Sequence, residues 1–151
     1  ATMMYGTGEN YEQRARHLIK IAELQEKTHG FMSFIPWSLE PNNTKMQEDG
    51  MIKYPSGGLE LLRMIAISRI VFSGLIDHLK SSLLTNGIWM AQLSLTYGAD
   101  DFGGTLIGEE VVSATGARST ELSADNIIAA IKQIGFDAHE RNNFYETIRV
   151  H

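Results

Sequence analysis

The chain has 151 residues, 43% of them hydrophobic and 21% charged, with a formal net charge of -5 at pH 7. That balance describes a single globular domain whose core can bury about 68 to 70% of the surface of the unfolded chain, and it excludes intrinsic disorder. The absence of Cys excludes a disulfide framework, a thiolate nucleophile, a Cys-ligated zinc and an iron–sulfur cluster held by this chain alone, and 18 acidic against 13 basic residues with no Lys/Arg run argue against a nucleic-acid or anionic membrane partner. No uncharged stretch approaches the roughly 20 residues of a membrane span and no signal-peptide pattern opens the chain, so a cytoplasmic location is expected.

Thr2 to Tyr5 reads as a short buried strand closed by Gly6. Asn10 with Gln13 three residues later marks a capping box, and a helix follows with Ala15, Leu18, Ile19, Ile21 and Ala22 as its apolar positions, stopped at Lys27-Thr28-His29-Gly30. Phe31 to Ile35 reads as a second strand that Pro36 ends, because Pro has no N–H to give a ladder. Trp37 to Gly58 lacks periodicity and reads as a long loop of the kind that carries function.

Leu59, Leu62, Ile65, Ala66, Ser68, Arg69 and Phe72 place a buried helix before Gly74, and a third strand is expected over about Asp77 to Leu84. Gly87 to Tyr97 forms a helix with Met90, Leu93 and Tyr97 on one face, stopped at Gly98, followed by a Gly-rich turn and a short extended piece over Ala99 to Ile107. Ser123 then caps a helix with a stripe of Ile127, Ile128, Ile131 and Ile134 before Gly135. Four βα units in series predict an α/β fold with parallel strands, either an open doubly wound sheet or half of an eight-stranded barrel, with ligands at the carboxyl ends of the strands.

At those ends several residues have two readings. Glu9 can order a ligand or simply favour a helix N-terminus, and Asp100-Asp101 beside Gly103-Gly104 can bind a metal or ribose hydroxyl or be ordinary turn chemistry. Glu109 and Glu110 are adjacent and so do not face one site together, and the five His show no metal-ligand spacing. Met3, Met4, Met32 and Met90 can line an adaptable pocket or fill the core, the core being the commoner use. Gly6-Thr7-Gly8 is only a fragment of a dinucleotide fingerprint.

Taken together the motifs resemble a known family. Thr2-Met3-Met4-Tyr5-Gly6-Thr7-Gly8-Glu9 resembles the fifth-strand GxIxGxxE pattern of radical S-adenosylmethionine barrels, with Thr2 in place of the first Gly. Phe34-Ile35-Pro36-Trp37 with Pro41-Asn42-Asn43-Thr44, the run Gly98 to Thr105, the stretch Glu109-Glu110-Val111-Val112 with Gly116-Ala117, and Gly135-Phe136 with Arg141 and Tyr145 are similar to the radical S-adenosylmethionine enzymes of the futalosine route to menaquinone. Trp37 and Phe102 look most like the members that cyclise dehypoxanthine futalosine, while Asp100-Asp101 and Gly103-Gly104 lean toward the aminofutalosine-forming and deazaflavin-forming relatives.

The resemblance implies that residues 1–151 are the C-terminal half, strands five to eight, of a TIM-type barrel, and that the Cys ligands of a 4Fe–4S cluster lie on a missing N-terminal half. It implies S-adenosylmethionine as cofactor, held by Met4, Gly6, Glu9, Ile35 and Pro36, and a nucleoside substrate facing Trp37, Ser82, Thr85, Asp101 and Thr105. It assigns no acid–base catalyst and no metal ligand to this chain; the cofactor would generate a radical that abstracts a ribose hydrogen, and the substrate radical would close onto the benzoate ring. The alternative is a non-catalytic half-barrel that binds a nucleoside or a partner protein. In either case open strand edges predict self-association.

Overall fold

The computed structural model describes residues 1–52, 54–103 and 123–151. Its elements run β1 (Thr2–Tyr5), α1 (Tyr11–Thr28), β2 (Ser33–Ser38), α2 (Lys45–Glu48), α3 (Gly58–Val71), β3 (His78–Leu79), α4 (Leu83–Leu95), α5 (Ala124–Gln133), β4 (His139–Arg141) and β5 (Thr147–Val150). β1, β2 and β3 form a parallel sheet in that order, and an isolated parallel bridge from Lys80 to Asp101 places a further segment beside β3. The parallel βα order agrees with the sequence.

Local chemistry explains the best-predicted pieces. Asn10 accepts from the Gln13 amide while the Gln13 side chain accepts from the Asn10 amide, so the capping box satisfies two otherwise orphaned donors at the start of α1. His29 ends α1 in the left-handed region, one residue before the expected Gly stop. Ser123 caps α5 by accepting from the Asn126 amide.

The core forms where α1 and α3 cover one face of the sheet. Met3, Tyr5, Phe34 and Leu79 from the strands pack with Leu18, Ile21, Leu61, Met64, Ile65 and Phe72 from the helices. Buried Gln25 is fully used, its amide nitrogen donating to the Phe31 and Leu75 carbonyls at 3.1 and 2.9 Å and its oxygen accepting from the Phe31 amide at 2.8 Å. It thereby ties the end of α1 to two loops with no polar group left unpaired. A second cluster of Leu83, Ala91, Phe102 and Ala130 receives Ile127 and Ile131 of α5.

Several expectations are corrected. Pro36 lies inside β2: Ile35 and Leu39 donate to β1, so the even-numbered donors point toward β3, which ends at Leu79 opposite Phe34 and asks nothing of Pro36. The third strand is only two residues long, because Ser82 turns into the left-handed region and Leu83 already begins α4. Gly87, expected at a helix start, is a kink within α4 at φ 75° and ψ 169°. Ala15, Ile19 and Leu59 are exposed rather than core, as are Met4 and Met32. The loop from Trp37 includes the end of β2 and the short helix α2 capped by Thr44. The antiparallel pair β4 and β5 was not anticipated.

Candidate functional site

The ladder register sorts the strand residues onto two faces. Met3 pairs with Pro36 and Tyr5 with Ser38 on the helix-covered side, and all four are buried. Thr2 pairs with Ile35 and Met4 with Trp37 on the other side, which no helix among the described residues covers. Continuing into β3, Ser33 stands beside His78, and Lys80 stands beside Asp101. The open face therefore carries rows of side chains stacked along the strands, the arrangement found inside βα barrels.

At the carboxyl end of β1 an ion-pair network fixes the first turn. The Gly6 and Thr7 amides each donate to Glu9 at 2.7 Å, the Thr7 hydroxyl donates at 2.8 Å, and Arg14 Nε donates at 2.6 Å. Burial pushes the Glu9 carboxyl up, but these four bonds outweigh it and hold it down to about 2. Arg14 extends the network to Glu60 of α3 at 2.6 Å, and Glu60 also accepts from Tyr11 and Arg63. Glu60 is likewise lowered, its guanidinium and hydroxyl donors overcoming desolvation. The guanidinium of Arg14 also lies 5.2 Å from the centre of the buried Tyr5 ring.

Gly6 has φ 89°, and a Cβ placed on it would fall 2.4 Å from Ser56 Oγ. The expectation that Gly6 opens the backbone to a ligand is thus modified: the close approach at this side of Gly6 is made by Ser56. Glu9 is committed to the turn and to Arg14.

The other expected site residues fall in three places. Met4, 40% exposed, and the half-buried Ile35 and Trp37 share the open face, while Pro36 is turned into the core. Ser82 and Thr85 join hydroxyl to hydroxyl at 2.8 Å at the start of α4, and Asn86 donates to Thr85 at 2.8 Å. Asp101 is buried and spent: Oδ2 accepts from Arg141 Nε and Nη2 at 2.9 and 2.5 Å, and Oδ1 accepts from the Gly103 amide at 2.6 Å. The carboxylate expected to face the substrate thus holds Arg141 and the Gly103 turn in this structure. Thr105, Gly104, Glu109 and Glu110 lie outside the described residues.

Asp100 is also structural, since it accepts from the Leu79 amide and pairs with both Arg69 and His78. Neither Asp is free for a metal, and among the described residues no group of three His, Asp or Glu could hold one.

The residues that single-chain reading missed are Arg14, Glu60, His78 and Lys80, along with the roles of Arg141 and Tyr145. Tyr145, held at φ 64°, stacks on His78 with ring centres 3.6 Å apart and 4° between planes, and the Arg141 guanidinium lies 4.1 Å from the same ring. Burial, with the Asp101 charge nearby, pushes the Tyr145 hydroxyl up to about 12. The turn of the C-terminal hairpin is thus pinned against the amino-terminal end of β3. Alternation across His78-Leu79-Lys80-Ser81, with Leu79 and Ser81 buried, is the signal that would have put His78 and Lys80 on the open face.

No helix among the described residues is long and apolar enough to cross a membrane. Comparison with known proteins matches residues 28–151 to the CofH/MqnC C-terminal region. The chain is 40% identical over 153 residues, covering all of it, to a cyclic dehypoxanthine futalosine synthase of Streptomyces coelicolor, of which it spans 36%. It is 38% identical over 149 residues to a 5-amino-6-(D-ribitylamino)uracil–L-tyrosine 4-hydroxyphenyl transferase of Methanocaldococcus jannaschii, of which it spans 42%. A second cyclic dehypoxanthine futalosine synthase, from Halalkalibacterium halodurans, is 38% identical over 149 residues. The chain therefore spans about two fifths of the length of these relatives, and it belongs to the family defined by the CofH/MqnC C-terminal region.

Proposed function

We propose that the chain is the C-terminal half-barrel of a radical S-adenosylmethionine enzyme that cyclises dehypoxanthine futalosine in menaquinone biosynthesis. The observation that carries this reading is the 40% identity along the whole chain to the Streptomyces coelicolor synthase. The open face supports it, because Met4, Ile35 and Trp37 there offer an apolar surface of the kind that accepts a nucleoside base.

The residues fit the two implied groups differently. With no Cys, the chain has no ligand set for a 4Fe–4S cluster, which would be held by the other half of the enzyme. For S-adenosylmethionine the fit is better: Met4 and Ile35 would meet the adenine, and the Glu9-fixed turn would hold the backbone at Gly6 beside it. When bound, that cofactor supplies the radical chemistry of the reaction. This chain's part is to orient: the Glu9, Arg14 and Glu60 network fixes the first loop, and the Ser82–Thr85 hydroxyl pair offers hydrogen bonds just past the end of β3.

A second reading, the 4-hydroxyphenyl transferase reaction, is favoured by the 38% identity to the Methanocaldococcus jannaschii enzyme. A chimera in which this chain replaces the matching part of the Streptomyces coelicolor synthase separates the two. After anaerobic reconstitution, conversion of dehypoxanthine futalosine to its cyclic product is the expected result. Turnover only of 5-amino-6-(D-ribitylamino)uracil with L-tyrosine would overturn the first reading in favour of the second.

A further inference from the structure

We propose that Lys80 is the anchor for a carboxylate on the substrate, a reading that rests on the proposed function and names the group that this half of the barrel recognises. Lys80 stands on the open face: Leu79 before it packs in the core under the helices, Ser81 after it is buried, and its ladder neighbour is Asp101. Its row continues through Ile35 to Thr2, directly below the row of Met4 and Trp37.

The neighbouring carboxylates do not neutralise it. Asp101 gives both oxygens to Arg141 and the Gly103 amide, and Asp100 is shared by Arg69, His78 and the Leu79 amide. Among the described residues the Lys80 ammonium has no hydrogen-bonded or ion-paired acceptor; the Tyr145 ring centre lies 6.0 Å from Nζ, and the other charge that it feels is the like-charged Ala1 amino group. A half-buried cation on the open face, in the row below Met4 and Trp37 and beside the Tyr145 ring, is placed to take an anion that arrives with the ligand.

Both kinds of relative act on molecules that bring one. L-tyrosine carries a carboxylate, and the benzoate implied for the cyclising reaction carries another. The shared chemistry is a carboxylate beside an aromatic ring, the ring resting near Tyr145 or Trp37 and the carboxylate on Nζ.

Amide NMR shifts of the full chain test this with four probes: sodium benzoate, benzamide, L-tyrosine and L-tyrosinamide. Saturable shifts at Lys80, Ile35 and Thr2 are expected with at least one carboxylate, at least fivefold tighter than with its amide. They should be lost in Lys80→Gln and retained in Lys80→Arg. Benzoate outbinding L-tyrosine would assign the anion to the cyclising substrate, and the reverse order would assign it to L-tyrosine. Equal affinity for acid and amide, unchanged binding in Lys80→Gln, or no shifts at these amides would overturn the proposal. A parallel titration with S-adenosylmethionine, read at Met4, Gly6 and Ile35, reports on the proposed function separately.

Discussion

Arg141 holds Asp101 across forty residues of chain, with two N–H bonds to a single carboxylate oxygen at 2.9 and 2.5 Å. The Asp101 side chain is 8% exposed and that of Arg141 is 22% exposed, so solvent screens this pair only in part. The pair joins β4 to the segment beside β3, and with the Tyr145–His78 stack it fastens the C-terminal hairpin to the parallel sheet.

Arg141→Ala should therefore destabilise the chain by about 2 to 4 kcal/mol, since it strands a buried carboxylate with one remaining donor. Asp101→Asn, which keeps an acceptor of the same shape, should cost less. Urea unfolding of the three proteins checks this order, and an Arg141→Ala protein as stable as the parent would show that the hairpin is not held by this pair.

Glu9 gives a pH dependence with a definite sign. Its folded-state value of about 2 lies below the ordinary 4.5, so its contribution is fully present above about 4.5 and is lost as pH falls through 2. Glu60, also lowered, acts in the same direction. Stability should fall between pH 4.5 and 2, and Glu9→Gln, about 2 kcal/mol weaker at pH 7, should fall less steeply over that window while keeping the slope due to Glu60. Chemical denaturation at stepped pH measures both curves; parallel curves would remove Glu9 from the account.

At Gly6 two costs can be separated. Gly6→Ala places a methyl 2.4 Å from Ser56 Oγ and also asks an L-residue to hold φ 89°, for a combined loss of about 2 to 3 kcal/mol. Adding Ser56→Gly relieves the collision and leaves the backbone strain, so the double variant should regain part of the loss. Recovery of the full parental stability would mean that the turn tolerates a side chain and that only Ser56 requires glycine there.

What was legible in the sequence is what local chemistry decides. The Asn10–Gln13 capping box, the Ser123 cap and the strand Thr2–Tyr5 are each fixed by residues within a few positions of one another. The strand expected over about Asp77 to Leu84 is cut to His78–Leu79, because Ser82 takes the left-handed region at the base of α4, which its local sequence does not signal. The β4–β5 pair escaped notice because its side chains are almost all exposed and show no alternation. At the site, the motif resemblance pointed to Met4 and Trp37, which share the open face, and to Gly6 and Glu9, which form the turn after β1. It did not reveal the pairing of Asp101 with Arg141, which belongs to a hairpin that the sequence does not announce.

The outer edge of β1 is the last consequence. Among the described residues β1 pairs with β2 alone, so one row of its backbone N–H and C=O groups is free to recruit another strand, and Met4 stands 40% exposed on the uncovered face beside it. Unpaired edges next to apolar surface drive association between chains, and an inward-facing charge is the usual deterrent. Light scattering should report a mass that climbs above the 16.8 kDa of one chain as concentration rises. Met4→Lys should hold it closer to the single-chain value without loss of thermal stability. A constant single-chain mass for the unaltered protein would mean that the edge is covered within the chain itself, and the open face would then have to be narrower than the strand register indicates.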